Sequence, residues 1–120
     1  MPDQGAKRIL VVDDEEIVRL SCIRTLKPGG YEVEAVDDAY EALSILRERH
    51  FDIIVTDFKM PDMDGVEFID MLRRTSPSSR VLLVTGFATE EVKEQAEAMG
   101  ASYLAKPFSP SELKEAIEGL

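Results

Sequence analysis

Three aspartates, a threonine and a lysine stand where apolar runs of this 120-residue chain come to an end. Asp13 and Asp14 follow Ile9–Val12, Asp57 follows the run Asp52–Thr56, Thr85 closes Val81–Thr85, and Lys106 follows Ser102–Ala105. Carboxylates gathered in one pocket repel each other unless a cation sits among them. An all-oxygen donor set suits Mg2+ or Mn2+ rather than zinc. A hard dication with a lysine and a hydroxyl beside it spreads the charge that builds on the oxygens of a transferring phosphoryl group. No serine, cysteine or histidine stands at these strand ends as a nucleophile. Among the carboxylates, Asp57 follows a wholly apolar run and is the candidate for covalent attack on phosphorus, which gives an aspartyl phosphate.

These residues share one pocket only if the fold brings the run ends together. Five strands are predicted: Arg8–Val12, Glu32–Val36, Asp52–Thr56, Val81–Thr85 and Ser102–Ala105. Ile9–Val12, Ile53–Val55 and Val81–Val84 are continuously apolar, as strands covered on both faces of a parallel sheet must be, so these three are expected to be central. Glu32–Val36 is less apolar and reads as an edge. Five helices alternate with the strands. Ile17, Leu20, Ile23 and Leu26 recur every three residues; Ala39, Ala42, Leu43 and Leu46 mark the second helix; Val66, Ile69 and Leu72, with Phe68 alongside, mark the third. Val92, Ala96 and Met99 give a fourth helix closed by Gly100, and Leu113, Ala116, Ile117 and Leu120 a fifth. Ser109, Pro110 and Glu112 spell a capping box with proline at the first helical position. Strict alternation at this length implies an α/β doubly wound sheet with right-handed crossovers and helices on both faces, whose ligands gather at the carboxyl ends of the strands.

Composition sets the outer bounds. The length fits one domain with a radius of gyration of ~14 Å. With 44% apolar residues, the core needs no disulfide or metal staple. A net charge of −10 repels nucleic acid backbones and anionic lipid, so no direct binding to either is expected of this segment. The lone Cys22, and the lack of a signal-type stretch or a long apolar run, point to a reducing, cytoplasmic setting.

The set VVDDEE at Val11–Glu16, DFKMPDMDG at Asp57–Gly65, VTG at Val84–Gly86 and KPF at Lys106–Phe108 resembles the response-regulator receiver domain of two-component signalling. The resemblance covers residues 8–120 behind a short tail, residues 1–7. It implies a flavodoxin-like fold, with five parallel strands in the order 2-1-3-4-5, and a signalling receiver rather than an enzyme. It further implies that Asp57 accepts a phosphoryl group from a phosphohistidine of a sensor histidine kinase or phosphotransfer protein. Asp14, Asp57 and the backbone carbonyl of Lys59 would hold Mg2+, with Asp13 acting through a water. Lys106 and Thr85 would contact the phosphoryl oxygens, and Thr85 with Tyr103 would form the switch. Lys106–Pro107 would be a cis peptide. Lys59 and Phe87 occupy the positions that influence water attack on the acyl phosphate, and bulky Phe87 is expected to shield it. Gly86 stands where alanine is frequent and leaves the site open.

Other readings compete with this one. An aspartate-nucleophile phosphatase of the haloacid-dehalogenase type would place its nucleophile after the first strand and a second aspartate two residues on. Here Asp13 is followed directly by Asp14 and Glu15, with no room for a cap domain. A phosphate-independent interaction module of the same fold would not need Asp57, Thr85 and Lys106 intact. A flavin binder would need amides and hydroxyls where the first loop is acidic. Asp37 and Asp38 read as a helix cap, Asp62 and Asp64 as turn formers, His50 as a solvent-facing residue near a helix end, and Cys22 as a packing thiol. The face of the fourth helix carrying Glu90, Glu91, Lys93 and Glu94 has two readings: a homodimer contact shared with the last strand and helix, or a solvated surface.

Overall fold

Strand and helix alternate as the apolar pattern dictates in a computed structural model that describes residues 7–60, 63–86 and 89–120. The elements are β1 (Arg8–Val12), α1 (Glu16–Leu26), a 3-10 turn (Lys27–Gly29), β2 (Glu32–Val36), α2 (Ala39–Glu48), β3 (Ile53–Asp57), β4 (Lys59–Met60), β5 (Met63–Asp64), α3 (Gly65–Thr75), β6 (Arg80–Thr85), α4 (Glu90–Ala98), β7 (Ser102–Ala105) and α5 (Pro110–Glu118). The main sheet is all parallel in the order β2-β1-β3-β6-β7, which is 2-1-3-4-5 when its own five strands are counted. The radius of gyration is 13.3 Å.

The continuous apolar runs divide between two cores because successive strand residues face opposite sides. Leu10, Val12, Ile54, Val81 and Leu83 point to the side covered by α2, α3 and α4. Ile9, Val11, Ile53, Val55, Leu82 and Val84 point to the side covered by α1 and α5. Each fully buried Leu or Ile contributes about 1.5–3 kcal/mol by removal from water. This two-sided burial fixes the register, and the register aligns the strand ends: Val12 pairs with Thr56, and Asp57 with Val84.

Several local details differ from the sequence-based expectation. In α1, Ile17 is 76% exposed and Leu20 40% exposed, while the buried stripe runs through Val18, Cys22, Thr25 and Leu26. Steps of three turn about 300° around a helix, so four such residues fan over half the circumference and cannot share one buried face. Val66 is exposed for a related reason, with Phe68, Ile69 and Leu72 forming the inward stripe of α3. The third strand begins one residue later than expected and takes in Asp57, while the Asp52 carboxylate accepts the Arg8 backbone N–H at 2.8 Å. The β4–β5 antiparallel pair is an addition, since two-residue strands leave no periodicity to read.

The Asp38 cap and the Ser109 capping box hold as read, while Asp64, read as a turn former, caps α3. Asp38 accepts backbone N–H groups of Tyr40 and Glu41, Asp64 that of Val66, and Ser109 and Glu112 form the reciprocal capping box with Pro110 in the first turn. Gly100, just past the end of α4, has a φ of +72°, which favours glycine. Arg73 of α3 donates to the carbonyls of Met99 and Gly100, supplying the positive charge that the last turn of α4 lacks. At the amino ends of the strands, Lys7 and Leu120 line a common cleft with Ile53, Arg80 and Ile117. Among the described residues, no helix is long and apolar enough to cross a membrane.

Candidate functional site

At the opposite end of the sheet, β1, β3, β6 and β7 deliver Asp13, Asp57, Thr85 and Lys106 to one place. Two short backbone turns orient the acids. Asp13 Oδ1 accepts the Glu15 N–H at 2.9 Å and Asp57 Oδ1 accepts the Lys59 N–H at 3.0 Å, both two residues on. The second oxygen of each carboxylate is thereby turned toward Lys106. Its ammonium lies 2.8 Å from Asp57 Oδ2, 2.8 Å from Glu15 Oε1 and 3.0 Å from Asp13 Oδ2. The Lys106 N–H donates to the Thr85 carbonyl at 2.8 Å, which fastens the lysine to the end of β6. The Lys106–Pro107 peptide is cis.

The acids differ in environment. Asp13 is fully buried, and burial pushes its pKa up, against the Glu15 N–H and Lys106, which lower it. Its Oδ2 has no aligned hydrogen-bond partner despite the nearby ammonium. For Lys106, burial disfavours the charge, but hydrogen bonds to Asp57 and Glu15 and the nearby Asp13 carboxylate outweigh it and raise the pKa, so the side chain stays cationic. Asp14 is exposed. One oxygen from each of Asp13, Asp14 and Asp57 lies within 4.8 Å of the others. Three carboxylates this close, one with a buried orphan oxygen, suit a hard divalent cation. The acidic cluster fits the ion that the sequence resemblance implies.

A cleft of about 850 Å3 opens onto this centre, lined by Asp14, Glu15, Asp57, Lys59, Gly86 and Lys106, with Ile17, Pro107 and Phe108 on its rim. Asp57 thus faces the cleft, whereas Asp13 sits behind it. Thr85 is buried at the end of β6. Tyr103, paired in register with Leu83, is half-buried against the α4 side of the core, with the Lys93 ammonium 5.8 Å from its ring centroid. Phe87 and Asp62 lie outside the described residues. His50 is exposed beyond the end of α2, 3.6 Å from Asp52. Cys22 is buried in the α1 side of the core, where burial first and the Asp13 charge second push its thiol up to about 12. It is inert packing.

The family profile described as "Response regulator receiver domain" matches residues 9–118. The chain belongs to the response-regulator receiver family. It is 39% identical over 116 residues to "Response regulator MprA" of Mycobacterium sp. (strain KMS), covering 94% of this chain and 50% of that protein. The chain thus spans about half the length of that relative. Chemotaxis response regulator CheY4 of Vibrio cholerae superposes with a TM-score of 0.89 at 34% identity, covering 96% of this chain and 98% of that one. A response regulator protein from Burkholderia pseudomallei, solved "with a phosphorylated aspartic acid, calcium ion and citrate", superposes with a TM-score of 0.84 at 32% identity, covering 92% of this chain and 65% of that one. As a receiver, the domain is a signalling module whose family works with sensor kinases or phosphotransfer proteins.

The site contains two features to which the sequence reading gave no role. Glu15 was legible only as one more acid after the Asp13–Asp14 pair, and its reach to Lys106 spans 91 positions. Ile17 was assigned to the core, yet it stands at the rim of the cleft.

Proposed function

We propose that residues 8–120 form a receiver unit in which Asp57 takes a phosphoryl group from a phosphohistidine of a sensor kinase or phosphotransfer protein. The observation that carries this reading is the Asp57 carboxylate, facing an open cleft, 2.8 Å from the Lys106 ammonium and grouped with Asp13 and Asp14. An Asp57 carboxylate oxygen forms the new P–O bond as the P–N bond breaks, and the electron pair of that bond returns to the donor imidazole. Asp14, Asp57 and the Lys59 carbonyl, with Asp13 through a water, would hold Mg2+, or Mn2+ in its place. The ion supplies charge neutralisation at the phosphoryl oxygens when bound. Lys106 orients Asp57 beforehand and then pairs with a phosphoryl oxygen. The turn through the Lys59 N–H keeps Asp57 from rotating away.

In this reading, Thr85 contacts a second phosphoryl oxygen. Its movement is relayed through Tyr103, which packs against the α4 side of the core and lies under Lys93 of α4, so that the α4 surface changes. Lys59 and Phe87 modulate loss of the phosphoryl group. Exposed Ile17 and Leu20 on α1, continuous with Pro107 and Phe108 beside the cleft, give a donor protein an apolar shoulder to rest on. The phosphatase alternative requires Asp13 as nucleophile, and the full burial of Asp13 behind the cleft disfavours it. Intact mass measured after incubation with acetyl phosphate and Mg2+ tests the reading. One phosphoryl group is expected on the parent and none on Asp57→Ala; an unmodified parent, or an adduct that survives the substitution, overturns it.

A further inference from the structure

Three carboxylate oxygens stand within 3.0 Å of the Lys106 ammonium. Asp57 Oδ2 and Glu15 Oε1 take aligned hydrogen bonds at 2.8 Å, and Asp13 Oδ2 stands 3.0 Å away on the remaining side. A phosphoryl oxygen attached at Asp57 competes with these carboxylates for the Lys106 ammonium. The three differ in what their departure costs. The Asp13 side chain is 1% exposed and would be left as a charge with little water to replace its partner, while Asp57 gives up its charge on forming the acyl phosphate and holds the phosphoryl group beside the ammonium. The Glu15 side chain is 55% exposed, and solvent can take over its carboxylate at once.

The backbone places Glu15 for this part. Its carbonyl accepts the N–H groups of Val18 and Arg19, starting α1, while its side chain makes no capping bond. The helix therefore fixes where the side chain departs from the backbone but does not need the carboxylate. We propose that Glu15 is a positioning residue that holds one N–H of Lys106 while Asp57 is unmodified and surrenders it to a phosphoryl oxygen when Asp57 carries one. This step rests on the phosphoacceptor reading above. Its consequence is a brake: until the exchange occurs, Glu15 offsets the attraction of Lys106 for an incoming phosphoryl donor.

The test is the 15Nζ resonance of Lys106, followed before and after acetyl phosphate treatment in the parent, Glu15→Gln and Glu15→Ala, with intact mass recorded in parallel. Before treatment, the resonance is expected to differ between the parent and both variants; after phosphorylation, the three are expected to coincide. At saturating Mg2+, both variants should take up the phosphoryl group about twofold to fivefold faster, the range of an exposed ion pair. A merely structural glutamate would leave a difference of the same size in both states. Identical resonances before treatment overturn the holding contact, and an undiminished difference afterwards overturns the release. A parent that gains no phosphoryl mass overturns the functional reading together with the release step, and the missing mass distinguishes that failure from failure of Glu15 alone.

Discussion

Lys106 Nζ lies 3.0 Å from Asp13 Oδ2, yet approaches it too obliquely for a hydrogen bond. Asp13 is thus buried as an anion with incomplete compensation, and its pKa rises, from burial first. A carboxyl group whose folded-state pKa exceeds the unfolded value favours folding in its neutral form. That contribution is complete below the unfolded pKa and is lost as pH rises through the folded one, so ionised Asp13 destabilises the domain at neutral pH. Asp13→Asn is expected to raise the melting temperature in metal-free buffer at pH 7 by about 3–6 °C, the shift that corresponds to about 1 kcal/mol. Melts repeated with Mg2+ should narrow the gap, because the parent gains a ligand and the variant loses one. A variant that melts below the parent in chelator contradicts this account.

The reverse outcome is expected for the cation. Lys106→Met leaves Asp13 and Asp57 facing one another with no ammonium between them. The expected loss is about 2 kcal/mol, below the figure for a wholly buried pair because Glu15 is solvated. Urea unfolding measures it, and saturating Mg2+ should restore part of the loss.

Gly65 opens α3 beneath the Asp57 turn. A Cβ there would stand 1.9 Å from the Phe58 carbonyl oxygen, so Gly65→Ala must displace backbone rather than a side chain. About 2–4 kcal/mol of destabilisation is expected. The displaced segment leads into Lys59, whose N–H orients Asp57, so Mg2+ affinity should fall as well. Calorimetric titration with Mg2+ checks the second effect independently of the first.

Ile17 and Leu20 support little of the core. Replacing both with alanine should change stability by less than about 0.5 kcal/mol each, as for other surface sites. Uptake from acetyl phosphate should be unaffected, while transfer from a phosphohistidine protein slows. Equal slowing with both donors would show that the α1 shoulder has no role in docking.

The legible part of this molecule was whatever a short stretch of chain decides alone. Ile9–Val12, Ile53–Val55 and Val81–Val84 could only be doubly covered strands, and Ser109–Pro110–Glu112 could only start a helix, because burial and capping act within a few residues. The positions of Asp13, Asp57 and Lys106 at strand ends followed from those runs, and the parallel order then brought them together. Ile17 and Leu20 were misassigned because spacing by three approximates the helical repeat without matching it, and Val18–Cys22 was the better stripe. The Glu15–Lys106 contact depends on how two distant loops face each other, a relation that neither segment encodes by itself. The β4–β5 pair was invisible because its strands are shorter than any alternation.

Lys7 and Leu120 border the same cleft at the amino ends of the strands, with the whole length of the sheet between them and Asp57. A reporter attached at either residue would leave the acidic centre unobstructed.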